Sequence, residues 1–255
     1  MSKFQKFSDM EININTSLFE KLRNAKINQL SNNNVHIWKI DLCKMQNNIN
    51  KYTDLLTQDE KNRANKYRIT HKQESYRITR ATLKLLLQYY VDKAPYPIAL
   101  YKNNYGKPYI KGNALYFNVS HTDGMSIISF SKSNEIGIDL EHIKCDNNII
   151  NISKKYFTKR ERFWIENLPK SEQIEGFLHC WVRKEAYIKA LDVGLNLPLD
   201  SFNVISNTNQ EILNNCFQIN NWFVHSLDIS TQHRGAICIQ SPKVDVHYFD
   251  TYKFE

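Results

Sequence analysis

The chain has 255 residues, 42% of them hydrophobic and 24% charged, with a formal charge of +8. These values exclude a disordered chain and leave room for one large domain or two small ones. The excess of cations implies an anionic partner, for which nucleic acid, a phosphorylated cofactor or an acidic protein would each serve.

In chain order, residues 1–15 carry no apolar run of signal-peptide length, and no later stretch approaches a membrane span. A cytoplasmic protein without a membrane partner is the expectation. "VHIWKIDL" at Val35–Leu42 alternates as a strand does. "TQDE" at Thr57–Glu60 is a capping-box pattern that opens a helix reaching about Ile69. A second helix runs from about His71 to Val91, with Tyr76, Leu83, Leu87 and Tyr90 at helical spacing and Pro95 and Pro97 beyond its end. "NNYGKPYI" reads as a turn into a short strand, and "LYFNVSH", "MSIISFS" and "EIGIDLE" read as three strands.

The order then repeats. "TKRE" at Thr158–Glu161 is a second capping-box pattern, and Ser171 is the expected cap of a long helix, "EQIEGFLHCWVRKEAYIKAL". "GLNLPLDSF" reads as a turn and strand, followed by the strands "WFVHSLDI" and "GAICIQS". The expected fold is therefore α+β, as two similar halves about a pseudo-twofold axis, residues 1–137 and 138–255, with the active site in the cleft between them. The five cysteines, Cys43, Cys145, Cys180, Cys216 and Cys238, are scattered without CxxC spacing. They argue against a disulfide framework or a zinc site and fit a reducing compartment.

In "EIGIDLEHI", Ile136, Ile138 and Leu140 fall on one face of a strand and Glu135, Gly137, Asp139 and Glu141 on the other. Two carboxylates roughly 7 Å apart on one face repel unless a cation or a proton lies between them. On the long helix, Glu185 sits in the apolar stripe of Ile174, Phe177, Leu178, Trp181 and Ile188. A carboxylate there needs a partner. Lys189, four residues on, is one candidate; a divalent cation shared with Asp139 and Glu141 is another. Ser120 and His121 end a strand beside the turn of Asp123 and Gly124, and Lys107 is presented from a turn stiffened by Gly106 and Pro108. Arg77, Arg80 and Lys84 form a basic stripe on one helix, as Arg63 and Lys66 do on the helix before it.

The succession "YGKPYI", "FNVSHTDG", "GIDLEHI", "FTKRE", "WVRKEAYIKAL" resembles the 4′-phosphopantetheinyl transferases, in particular the long monomeric type that activates peptide and polyketide synthetases. The resemblance runs from about Leu56 to Leu199. It implies transfer of the phosphopantetheine arm of coenzyme A to a serine of an acidic apo acyl, peptidyl or aryl carrier protein, with release of adenosine 3′,5′-bisphosphate. It implies Mg²⁺ on Asp139, Glu141 and Glu185, and catalysis by Glu185 and Lys189. It also implies coenzyme A contacts from Arg63, Arg77, Tyr105, Gly106, Lys107, Pro108, Ser120, His121, Lys184 and Lys189. Coenzyme A would lie on the N-terminal half, and the metal and catalytic residues would come from the C-terminal half. Where the family often has a glycine before its "GL" pair, this chain has Asp192. A Mg²⁺-dependent nuclease and a non-catalytic binder of coenzyme A or carrier protein are the competing readings. A nuclease would carry its acid and lysine on a strand, whereas here they share a helix.

Overall fold

A computed structural model describes residues 27–91, 98–112, 115–144, 148–205 and 215–254, together with Lys21 and Ala25. The opening 1–15 stretch, Pro95, Pro97 and Cys145 lie outside the described residues. The fold is α+β.

Strand β1 (Asn34–Asp41) leads into two short helices, α1 (Leu42–Met45) and α2 (Ile49–Asp54). Helix α3 (Gln58–Asn65) starts at Thr57, whose hydroxyl accepts the Glu60 amide while Glu60 accepts the Thr57 amide, so both arms of the capping box form. Helix α4 spans Thr70–Tyr90. The short strands β2 (Tyr101–Lys102) and β3 (Pro108–Tyr109) frame the Gly106 turn. Strands β4 (Tyr116–Thr122) and β5 (Met125–Ser131) form a hairpin, and β6 (Ile136–His142) follows. Helices α5 (Ile149–Tyr156), α6 (Lys159–Asn167) and α7 (Gln173–Leu191) come next. The last strands are β7 (Cys216–Ile219), β8 (Trp222–Ser230), β9 (His233–Ile239) and β10 (Asp245–Asp250).

One sheet has the order β10-β1-β5-β4 and the other β6-β9-β8-β7. Because side chains alternate along a strand, β1 supplies both faces of the first sheet. Trp38 and Ile40 pack with Leu83, Leu86 and Leu87 of α4, whereas Val35 and Ile37 join Ile136, Ile138, Leu140 and Ile237 in a core shared with the second sheet. Helix α7 covers the other face of that second sheet, where Ala186, Tyr187 and Ala190 meet Val224, Ala236 and Cys238. Glycine at position 137 permits the close approach: a Cβ built there would stand 2.1 Å from the Ala186 carbonyl oxygen and 2.4 Å from the Ala190 nitrogen.

Four expectations are corrected. Helix α3 stops at Asn65 rather than reaching Ile69. Helix α7 has Glu172, not Ser171, at its N-cap, with no side-chain capping bond. "GLNLPLDSF" forms two 3-10 turns, Gly194–Asn196 and Leu199–Ser201, rather than a strand. The tight geometry turns the Leu199 and Phe202 carbonyls onto Lys184. The stripe of Arg77, Arg80 and Lys84 is not a free basic face, because Glu60 holds Arg80 at 2.6 Å and Lys84 at 3.2 Å. Helices α1, α2 and α5 and strands β2, β7 and β10 lie outside the elements expected from the sequence. Of these, β10 pairs parallel to β1 from the far end of the chain, Val246 against Val35 and Tyr248 against Ile37.

Candidate active site

The strand alternation places Gly137, Asp139 and Glu141 of β6 toward α7, away from the core of Ile138 and Leu140. Asp139 is 5% exposed. Its Oδ1 accepts from Ser120 Oγ at 2.8 Å and from Lys189 Nζ at 2.6 Å. Its Oδ2 is buried with no hydrogen-bond partner among the described residues. Lys189 also donates to Ser120 Oγ and to the Ile138 carbonyl. The cation that meets β6 at Asp139 is thus Lys189.

Glu141 accepts from Thr122 Oγ1 at 3.3 Å. Burial, and then the Asp139 charge, push its carboxyl up to about 7. Glu185 is raised in the same sense, by burial first and Asp139 second. Both glutamates therefore feel the same aspartate, and each would ionise more readily if a cation were placed among them.

Among the described residues, no three His, Cys, Asp or Glu side chains form a ready-made metal cage. The donors still suit a hard divalent ion. They are oxygen donors that repel one another, with one buried carboxylate oxygen left unpaired and no thiol or imidazole required. Asp139, Glu141 and Glu185 are the residues that would hold it.

One cavity adjoins this cluster, and a second adjoins that cavity. The first, about 280 Å³, is lined by Tyr105, Gly106, Lys107 and Pro108 on one side and Glu185, Ile188 and Lys189 on the other. Gly106 supplies the left-handed backbone, at φ 88°, that the turn requires. Lys107 reaches across to α7: its Nζ donates to the Lys189 carbonyl at 2.9 Å and pairs with Asp192 at 3.2 Å. Asp192 takes a left-handed φ of 61°, so an aspartate does here what glycine does more easily, and its charge is met by Lys107. The second cavity, about 200 Å³, shares Gly106 and Pro108 and adds Arg63, Arg80, Lys102, Tyr76 and His121. The Lys102 ammonium is lowered chiefly by the Arg63 charge, then by burial and by Arg80. Arginines close enough to lower a neighbouring ammonium suit a multiply charged anion.

The expected site residues are therefore brought together unevenly. Asp139, Glu141, Glu185, Lys189 and Ser120 meet at the β4–β6–α7 junction. Tyr105, Gly106, Lys107, Pro108, His121 and Arg63 line the adjoining cavities. Arg77 does not line them; its guanidinium donates to Asn65. Lys184 is turned away altogether. It is fully buried and its Nζ is spent on Glu161 at 2.9 Å and on the Leu199 and Phe202 carbonyls at 2.7 and 2.6 Å. The sequence reading missed Lys102 and Thr122. Of the two, Thr122 left a signal, two residues after Ser120 on the same face of β4.

A sequence profile of the 4′-phosphopantetheinyl transferase superfamily matches residues 135–238, the stretch that carries β6, α7 and β9. A 4′-phosphopantetheinyl transferase of Bacillus subtilis is 30% identical over 181 residues, covering 69% of this chain and 79% of that one. HetI, a 4′-phosphopantetheinyl transferase of a Nostoc species, is 27% identical over 170 residues, covering 65% and 72%. Sfp, a 4′-phosphopantetheinyl transferase of Bacillus subtilis strain 168, is 36% identical over 144 residues, covering 54% and 61%. The chain belongs to the 4′-phosphopantetheinyl transferase superfamily.

Proposed function

We propose that the chain transfers the phosphopantetheine arm of coenzyme A to a serine of an acidic apo carrier protein, releasing adenosine 3′,5′-bisphosphate. The observation that carries this reading is the gathering of three buried or part-buried carboxylates around Lys189, which with Glu185 lines a cavity that shares Gly106 and Pro108 with the cationic one. In this reading Arg63, Lys102 and His121 bind the phosphates of the nucleotide, and the turn from Tyr105 to Pro108 borders its base. Lys107 holds that turn against α7 and adds positive charge beside the pyrophosphate. Asp139, Glu141 and Glu185 hold Mg²⁺, which when bound supplies charge neutralisation at the pyrophosphate. Lys189, which pairs with Asp139 and lines the same cavity as Lys107, adds positive charge facing the leaving bisphosphate. Glu185, from its place at the cavity wall, accepts the serine proton directly or through a water.

The proposal includes two α+β halves with the site in the cleft between them, residues 1–137 and 138–255, the strand Asp245–Asp250 being contributed to the first sheet. It also includes a cytoplasmic monomer, with no nucleic acid as partner. Membership of a transferase family, together with an acid and lysine on a helix, disfavours the nuclease reading. The intact trio of carboxylates disfavours a non-catalytic binder.

Incubation with coenzyme A, Mg²⁺ and several apo carrier proteins, read by intact mass, tests this. One carrier should gain a single phosphopantetheine, and excess chelator should abolish the gain. No gain on any carrier would overturn the transferase reading, and an undiminished gain in chelator would overturn the metal.

A further inference from the structure

Strands β4 and β6 belong to different sheets, yet they are joined by alternate side chains of β4. The Ile138 amide donates to Asn118 Oδ1 at 3.0 Å, the Leu140 amide to Ser120 Oγ at 3.2 Å, and the His142 amide to Thr122 Oγ1 at 3.2 Å. Asn118, Ser120 and Thr122 recur with the period of two that points side chains to one face of a strand. They accept from β6 as the carbonyls of a neighbouring strand would.

This arrangement fixes the direction of each hydroxyl. A backbone amide only donates, so it takes a lone pair of the hydroxyl oxygen and leaves the hydroxyl proton to point elsewhere. At Ser120, Lys189 takes a lone pair too, so the proton goes to Asp139 Oδ1 at 2.8 Å. At Thr122 it goes to Glu141 Oε2 at 3.3 Å. Each hydroxyl grips the carboxylate of the residue just before the amide that aims it.

We propose that Thr122 is a positioning residue for Glu141. Its hydroxyl, aimed by the His142 amide, holds the carboxylate so that its remaining lone pairs face the divalent cation. This rests on reading Asp139, Glu141 and Glu185 as the residues that hold that cation. Hydrogen-bond partners behind a ligating side chain typically govern metal affinity by ~10–100-fold.

The test uses the full-length protein and Mn²⁺ as probe, its binding read from the loss of the free-ion paramagnetic resonance signal, with coenzyme A present and no carrier. Thr122→Val keeps the branched shape and loses the hydroxyl; Thr122→Ser keeps the hydroxyl and loses the methyl. The expected result is Mn²⁺ affinity weakened ~10-fold or more in Thr122→Val and within about twofold of wild type in Thr122→Ser. Wild-type affinity in Thr122→Val, or equal weakening in Thr122→Ser, would overturn the proposal while leaving the metal reading intact. Absence of Mn²⁺ binding by the wild type would overturn both. Should Thr122→Val lose its cooperative melt, Thr122→Ala takes its place; loss of the melt in both makes the hydroxyl a folding element and overturns the positioning role.

Discussion

Lys184 and Lys189 lie five residues apart on α7, about 140° around the helix at 100° per residue, so one helix sends two lysines to different fates. Lys189 faces β6, and Lys184 enters the core beside Glu161. Lys184→Met should therefore act on stability. Removing one partner of a buried ion pair typically costs ~3–5 kcal/mol, because the other charge stays behind. The melting temperature should drop markedly while coenzyme A affinity of the folded protein stays within about twofold; a large loss of affinity with an unchanged melt would return Lys184 to the binding site. Glu141 carries a second residue-scale prediction. Its carboxyl rises from an ordinary 4.5 to about 7 on folding, so the metal-free folded chain binds more protons than the unfolded chain across that window. Its contribution to stability is present below the window and is lost as the pH rises through about 7. His36, His225 and His233 are lowered by burial and drive the opposite slope, so the difference between proteins is the quantity to read. In chelator, the stability of Glu141→Gln relative to wild type should rise with pH across that interval. A flat difference would place Glu141 in an ordinary solvated environment.

At the scale of elements, the contact of β6 with α7 decides whether the site exists. Gly137 lets the strand lie against the helix backbone, and the same approach brings Lys189 Nζ to 2.6 Å from Asp139 Oδ1. Gly137→Ala would put a methyl where only 2.1 Å separates it from the Ala186 oxygen, and backbone atoms cannot swing aside as a side chain can. Overpacking of this kind typically costs ~1–3 kcal/mol or more. We expect the melting temperature to fall by several degrees and turnover of the still-folded protein to fall as well, measured on one preparation. Unchanged turnover per folded molecule would mean that the strand–helix spacing does not govern the chemistry. The capping boxes at Thr57 and Thr158 show the reverse situation. Both arms of each form within four residues, so both helix starts were legible from the chain alone.

For the whole molecule, the strand Asp245–Asp250 ties the end of the described chain back to β1. Phe249 stacks on Trp38 at 4.8 Å between centroids, and Thr251 donates to the Lys39 carbonyl. Truncation after Val244 should strip the edge of the first sheet, uncover Trp38 and leave β1 unpaired on that side. Exposed strand edges promote association. The truncated chain should melt lower and scatter light on warming, although it retains every residue of the candidate site. A melt matching the full chain would make the last strand dispensable.

The sequence by itself determined the features that depend on near neighbours or on the period of an element. These include both capping boxes, the alternating face of β6 with Asp139 and Glu141 opposite Ile138 and Leu140, and the placing of Glu185 and Lys189 on one face of α7. It also carried the ordered motifs of the family. Only the tertiary structure decided which partner each charged group took. Lys189 meets Asp139 across 50 residues instead of Glu185 across four, Arg80 rather than Arg77 lines the cationic cavity, Lys184 is enclosed by Glu161, and Thr122 reaches Glu141 from another sheet. The physical reason is range. Hydrogen-bonded turns and side-chain periodicity are set within a few residues, whereas a charge settles against whatever the packing of distant strands and helices brings within a few ångströms of it.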